Sequence, residues 1–221
     1  MFSLNLFTGF NMFVSLGGII ILMPFYLQYV LKYNPREIGL LLATVPISAG
    51  IVSPLAGSLS DRFGTRRIST LGLLVTLIGF ISLLQLDTTA SALTYILCFL
   101  PIGIGIGIFQ SPNNSAIMSA SPPEKLGVTS GLLSLTRTLG QTSGIAAIGA
   151  FWFSRVAANS DLKTRLEIAD SAPAALAAGL HDTVLLVLGI LLISLILSGL
   201  ALYQEEKNRR GKSQFFTING K

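Results

Sequence analysis

Residues 57 to 67 read Gly57-Ser-Leu-Ser-Asp61-Arg62-Phe-Gly64-Thr-Arg66-Arg67, a cluster of charge between two stretches, 38–60 and 68–86, that contain no Asp, Glu, Lys or Arg. Each flank is long enough to cross ~30 Å of hydrocarbon as a helix of about 20 residues, so the cluster reads as a reversal at a membrane edge. Working outward, 3–31, 88–123 and 183–204 are also uncharged, and 126–154 holds Arg137 alone. The pattern predicts six membrane-spanning helices, over 4–31, 38–60, 68–86, 91–118, 126–154 and 183–204. Short turns join them, except for an external loop at 155–182, and a basic cytoplasmic tail occupies 205–221. Helices one to three and four to six then enter from opposite sides, as an inverted repeat of two triplets would.

Composition agrees. Of 221 residues, 51% are hydrophobic and 11% charged, against roughly 25% charge in a soluble domain. That excludes an ordinary water-soluble enzyme. The 22 glycines and nine prolines lie largely inside the apolar stretches, where packed membrane helices tolerate them. Pro24, Pro46, Pro54, Pro101 and Pro112 each remove a backbone donor and are expected to kink or break their helices. Gly103, Gly105 and Gly107 alternate and so cannot share one helix face. A single cysteine, Cys98, excludes a disulfide framework or a cysteine-based metal site. No zinc, serine-hydrolase or phosphate-loop motif occurs, and His181 is expected to be solvated in the external loop, so no enzyme activity, metal or cofactor is expected.

Lys and Arg number fifteen against ten Asp and Glu. Nine of them (Arg62, Arg66, Arg67, Lys125, Lys207, Arg209, Arg210, Lys212 and Lys221) fall on the side of the two termini, and five (Lys32, Arg36, Arg155, Lys163 and Arg165) on the other. The positive-inside rule therefore makes both termini cytoplasmic, in a cell (inner or plasma) membrane. The tail, with no apolar period, is expected to be disordered and to touch anionic lipid rather than nucleic acid. Within 155–182, Asp161 is expected to cap one short helix, and a second should start at Pro173 and stop at Gly179. Met1–Leu31 has no positive n-region and too long a core for a signal peptide. The chain starts directly in its first span, from which further polypeptide upstream is expected.

The 57–67 stretch resembles the G-x-L-x-D-R-x-G-R-R/K loop of the major facilitator superfamily, with Thr65 where Arg or Lys is common. Gly57, Asp61, Arg62, Gly64, Arg66 and Arg67 match it and, by the resemblance, form a cytoplasmic gate motif. Physically, Gly57 allows close helix approach, Asp61 faces a helix N-terminus, and Gly64 permits the tight reversal. Leu27–Leu40, Pro122–Gly131 and Arg137–Gly144 are similar to segments of the C-terminal six-helix half of the superfamily's multidrug exporters, most like the fourteen-helix drug/proton antiporters. The resemblance implies an all-α half of a facilitator fold and proton-coupled efflux of amphipathic organic compounds. It further implies that a second six-to-eight-helix half, or a second copy in a homodimer, closes the cavity, with Gly140 and Gly144 at the interface between halves. The competing reading is a non-transporting membrane interaction module or the remnant of a split gene.

Polar residues inside spans mark the substrate pathway. Arg137 is the only formal charge in any span, about 17 Å beyond the start of its helix, and costs about 2.5–3.5 kcal/mol to insert. It is expected to face the bundle interior or a wet cavity, lining the pathway or bonding neighbouring helices, with Gln141 one turn along. Gln110, Asn113 and Asn114 share a face at i, i+3, i+4, and Asn11 is the matching candidate on the first helix. Interhelical hydrogen bonding is the alternative role for each. No Asp or Glu lies in a span, so a proton-carrying carboxylate is expected on another bundle.

Overall fold

The computed structural model describes residues 2–158 and 173–219. The chain is helical: α1 is Phe2–Phe25, α2 Pro35–Leu42, α3 Thr44–Phe63, α4 Thr65–Ser82, α5 Ala92–Ser119, α6 Leu126–Ala158 and α7 Pro173–Asn219. Among the described residues five stretches (Phe2–Val30, Pro35–Phe63, Thr65–Gln85, Ala92–Ser119 and Pro173–Glu205) are long and apolar enough to span a membrane. Helix α6 is the sixth bundle member. At 33 residues it is about 50 Å long, but Arg137, Gln141 and its many Ser, Thr and Gly residues dilute its apolar content.

The reversals are tighter than the charges suggest. Asp61–Phe63 form the last turn of α3 and Thr65–Arg67 the first turn of α4, leaving Gly64 alone at φ +93 between them. That conformation is costly for a residue with a Cβ, so the sequence needs glycine here. Arg36 and Glu37 likewise belong to α2, whose N-cap Asn34 accepts from both their backbone N–H groups, while the Glu37 carboxylate accepts from the Asn34 N–H.

Three expectations for the second triplet change. Helix α7 begins at Pro173, as read, but runs through Gly179. His181 is therefore helical and half-buried, its Nε2 2.7 Å from the Leu86 carbonyl. The stretch after Glu205 continues the same helix instead of forming a disordered tail. The short helix expected at Asp161 lies outside the described residues. Of the prolines, Pro46 breaks its helix at Ala43, because it offers no N–H to the turn before it, and Pro24 is followed by a wide π-turn at Tyr26–Val30. Pro54, Pro101 and Pro112 remain inside unbroken helices.

Packing gives the layout. In front, the helices lie in the order α3, α5, α1, α6, with α4 and α7 behind them. Helices α1 and α6 run parallel: Phe10 meets Gly140, Val14 meets Gly144, and Phe25 meets Trp152. Helices α3 and α5 also run parallel, Val45 against Gly103 and Ala49 against Gly107. The first and fifth spans thus pair as the fourth and second do, in the opposite direction, and that is a 3+3 inverted repeat. Behind them, the third and sixth spans meet antiparallel through Thr70 and Ser198, whose hydroxyls are 2.7 Å apart.

The glycine alternation on α5 has a simple cause. Gly103 and Gly107, four apart, face α3; Gly105, about 200° around the helix, faces Thr76 of α4. Helix α5 is wedged between two neighbours, and each contact requires the absence of a Cβ.

Candidate functional site: a cleft and a lone arginine

The front row curves around a cleft of about 550 Å³ lined by α1, α3 and α5, with Leu42 at the end of α2. Its walls are mostly aliphatic and aromatic: Leu16, Ile19 and Met23 from α1, Val45 and Ala49 from α3, and Ile106 from α5. Tyr95 and Phe99 stack on one side with centroids 4.3 Å apart, and Phe13 closes the end nearer the chain termini. Gln110 supplies the one side-chain amide in the wall.

Beyond Phe13 lies a crevice of about 10 Å³, bounded by Asn5, Asn113, Asn114, Thr136 and Arg137 among others. Asn113 is buried and donates through Nδ2 to the Asn5 carbonyl at 3.3 Å. The Arg137 guanidinium sits over the Phe13 ring, 5.2 Å from its centroid, and its side chain is exposed at the front of the bundle. Among the described residues Arg137 makes no hydrogen bond or ion pair. Gln110, Asn113, Asn114 and Arg137 are thus brought together around Phe13, which belongs to both walls.

Two pathway candidates lie elsewhere. Asn11 is buried and points backwards, donating through Nδ2 to the Ser194 Oγ of α7 at 2.9 Å; it is interhelical glue. Gln141 lines neither cavity, and its backbone carbonyl occupies the space where a Cβ on Gly17 would stand.

Gly140 and Gly144 also require correction. Both are buried against α1, with Phe10 O 2.8 Å from a Cβ built on Gly140 and the Val14 carbonyl closer still to one on Gly144. A helix of the same chain covers this face, so it cannot meet another half. Among the residues that α6 leaves exposed is a stripe of small ones on the face opposite α1, Ser134, Thr138, Thr142, Ala146 and Ala150, beside the exposed Leu135 and Leu139. On α3 the open stripe is bulky: Ile47, Ile51, Leu55 and Leu59.

At the terminal end, Arg66 Nε is 3.0 Å from Glu205 Oε2, tying α4 to α7 beside a crevice of about 120 Å³ that also takes in Gly64 and Arg67. Asp61 and Arg62 are exposed, and Gly57 faces Ser111 of α5. At the opposite end, Arg155 Nε pairs with Asp182 Oδ2 at 2.6 Å. There the Asp87 carboxylate accepts from the Thr89 N–H and hydroxyl, which hold its acid below the usual aspartate range.

Sequence reading did not single out Phe13, Tyr95, Phe99 or Ser194. Phe13 lies two residues after Asn11 on an otherwise uniform apolar helix, where nothing distinguishes a cavity wall from a lipid face. Ser194 had a signal, since with Ser198 it forms an i, i+4 polar pair in an apolar span, and both hydroxyls bond across helices.

The family model described as Major Facilitator Superfamily matches residues 2–145. The chain is 37% identical over 148 residues to the uncharacterized transporter YebQ of Escherichia coli, covering 67% of this chain and 32% of that protein. It is 31% identical over 143 residues to the riboflavin transporter RibZ of Clostridioides difficile, covering 65% and 31%. Further relatives are named as multidrug resistance proteins. The matches span about one third of the length of these relatives. In three dimensions the chain is similar to the fucose:proton symporter FucP of Escherichia coli, with a TM-score of 0.65 at 18% identity, over 90% of this chain and 48% of that one.

Proposed function

The chain belongs to the major facilitator superfamily, and we propose that it works as the C-terminal six-helix half of an exporter of amphipathic organic compounds. It is an integral membrane protein with the fold of one half of such a transporter. The observation that carries the proposal is the 550 Å³ cleft on the concave front of the bundle, between the fourth span and its neighbours. An apolar cavity with few convergent polar groups is what an amphipathic ligand requires. Drug-resistance names among the relatives favour export, while the riboflavin transporter leaves several substrate chemistries within reach of the same scaffold.

The exposed stripes on α3 and α6 are the surfaces on which a facing bundle would close. Small residues on one helix accept bulky aliphatics from another, so α6 of this chain suits an α3-like helix opposite, and the reverse. That bundle is a six-to-eight-helix half or a second copy of this chain. Proton coupling requires a titratable group in the membrane, and the spans here hold carboxylates only near their ends (Glu37, Asp61, Asp182 and Glu205), so the proton carrier belongs to the facing bundle. In this reading both termini are cytoplasmic, Asp61, Arg62, Arg66 and Arg67 form the cytoplasmic gate with Gly57 and Gly64, and rocking of the two bundles alternates access.

The test is export of a fluorescent amphipathic dye from cells producing the chain, with Ala49→Trp inserted to fill the cleft. Export should require the proton gradient and should stop in the variant at unchanged membrane abundance. If export is absent while a Cys pair at Ile51 and Thr142 cross-links neighbouring chains, in a Cys98→Ser background, the chain is an interaction module instead.

A further inference from the structure

We propose that the compound carried in the cleft has an aromatic or otherwise apolar body and an electronegative head, best an anion such as a carboxylate or sulfonate, held by Arg137. The inference rests on the reading of the cleft as a ligand site and adds the polarity of the ligand. Four observations support it.

The first is the state of Arg137. An arginine within a span needs acceptors for its five N–H groups, yet among the described residues it has none, and its only recorded partner is the Phe13 ring at 5.2 Å. The second is its place. Phe13 forms the end wall of the cleft and also the wall of the crevice that contains Arg137, so the guanidinium lies one ring away from the apolar cavity. The crevice, at about 10 Å³, is too small to hold a head group, which leaves the exposed front of Arg137 as the binding edge.

The third is the sign of the field. Among the described residues Arg137 is the one formal charge lining cleft and crevice, and no described carboxylate lines either of them. A cationic head placed there would meet a like charge, whereas an anionic head would gain a charge-assisted, bidentate bond in a medium of low dielectric. The fourth is the support around it. Asn113, fixed by its bond to the Asn5 carbonyl, and Asn114 flank the crevice, and Gln110 lies on the cleft side of the same helix face, so amide donors continue the polar edge from Arg137 into the cavity. Tyr95 and Phe99, stacked at 4.3 Å, offer a flat surface to an aromatic body.

The experiment uses the full chain in nanodiscs of neutral lipid, titrated calorimetrically with three probes sharing one ring system: 2-naphthalenesulfonate, 2-naphthamide and 2-naphthylmethylammonium. Heats from empty discs are subtracted. The sulfonate should bind roughly tenfold more tightly than the amide, and the ammonium should bind most weakly. Arg137→Gln should remove the preference for sulfonate over amide and leave amide affinity within about twofold, while Arg137→Lys should keep part of the preference. Ala49→Trp should weaken all three probes.

If Ala49→Trp blocks the probes but Arg137→Gln leaves their ratio unchanged, the cleft is a ligand site and the inference about the head group is wrong. Tighter binding of the ammonium overturns it equally. If Arg137→Gln lowers thermal stability or assembly without moving the ratio, the arginine bonds a facing bundle, and the inference again fails. If no probe binds, or Ala49→Trp changes nothing, the reading of the cleft itself is lost and the inference falls with it.

Discussion

The two parallel helix pairs, α1 with α6 and α3 with α5, are built by the same backbone device and used for different chemistry. In each, glycines four residues apart let the neighbouring helix bring its carbonyls into contact: Phe10 and Val14 over Gly140 and Gly144, Val45 and Ala49 over Gly103 and Gly107. The α3–α5 pair turns an almost wholly apolar wall to the cleft, whereas the α1–α6 pair brings Arg137 over Phe13. The repeat therefore duplicates the scaffold and not the site. Close helix approach depends only on small residues and is easily preserved in both triplets, while a charge in hydrocarbon is tolerated at the one place where something can meet it.

The largest expected effect tests whether the two contacts are equivalent. A methyl at Gly144 would meet the Val14 carbonyl, and one at Gly107 would stand 2.7 Å from the Ala49 carbonyl. Because backbone cannot rotate aside, Gly144→Ala and Gly107→Ala should each cost about 1–3 kcal/mol, seen as a lower unfolding midpoint in detergent. Gly131→Ala and Gly189→Ala, where a Cβ meets nothing within 4 Å, are the controls and should not destabilise. A loss in one pair only would mean that the contacts are not equivalent in energy despite their geometry.

A smaller effect separates the α1–α7 contact from its counterpart between α5 and α4. The former uses the buried Asn11–Ser194 side-chain hydrogen bond; the latter packs through Gly72, Gly79 and Gly105 and is tied at one end by the Ser82 hydroxyl and the Cys98 thiol, each donating to the other residue's carbonyl at 3.1 and 3.2 Å. Asn11→Ala and Ser194→Ala should each cost about 0.6 kcal/mol, with an upper value of about 1.7, the range measured for such bonds between membrane helices. The double variant should cost little more than either single one, since the two side chains share one bond. Strict additivity would mean that Asn11 acts through something other than Ser194. Transport should survive the substitutions, because the Asn11 side chain turns away from the cleft toward α7.

These contrasts mark what the sequence could disclose. The uncharged stretches coincide with helices of the structure to within a few residues at most of their ends, because a charged side chain in lipid is costly and reversals collect charge at the interface. The start of α7 escaped that logic: Asp182 and His181 sit inside a helix, one paired with Arg155 and the other against the Leu86 carbonyl, so neither ends it. Gly64 was legible because only a turn asks for its φ. The direction of Gly140 and Gly144 was not. A period of 3.6 says which residues share a face, and it leaves open which neighbour covers that face. The same gap hid the small stripe from Ser134 to Ala150 and the aromatic walls of the cleft, whereas Gln110, Asn113, Asn114 and Arg137 were visible as polar groups in apolar surroundings.

The smallest effect compares two positions on α7, Asp182 and Glu205, that lie on opposite sides of its apolar stretch and are each tied to an arginine. Arg66 pairs with Glu205 with side chains 11% and 35% exposed, and Arg155 with Asp182 with side chains 45% and 31% exposed. Solvent screens the second pair more, and exposed pairs contribute about 0–1 kcal/mol, so Arg155→Gln should lower the unfolding midpoint barely or not at all. Arg66→Gln should lower it more, since it removes a better-shielded guanidinium that links α4 to α7 at the end where α3 reverses through Gly64. Raising salt from 0.05 to 0.5 M, an illustrative range over which the Debye length shortens from roughly 14 to 4 Å, should reduce the Arg155 effect further and leave most of the Arg66 effect. Equal, salt-sensitive losses at both ends would make the Arg66 link an ordinary surface pair. A salt-resistant loss at Arg66 alone would mark the terminal end as the stiffer one, as a hinge between α4 and α7 in a rocking bundle requires.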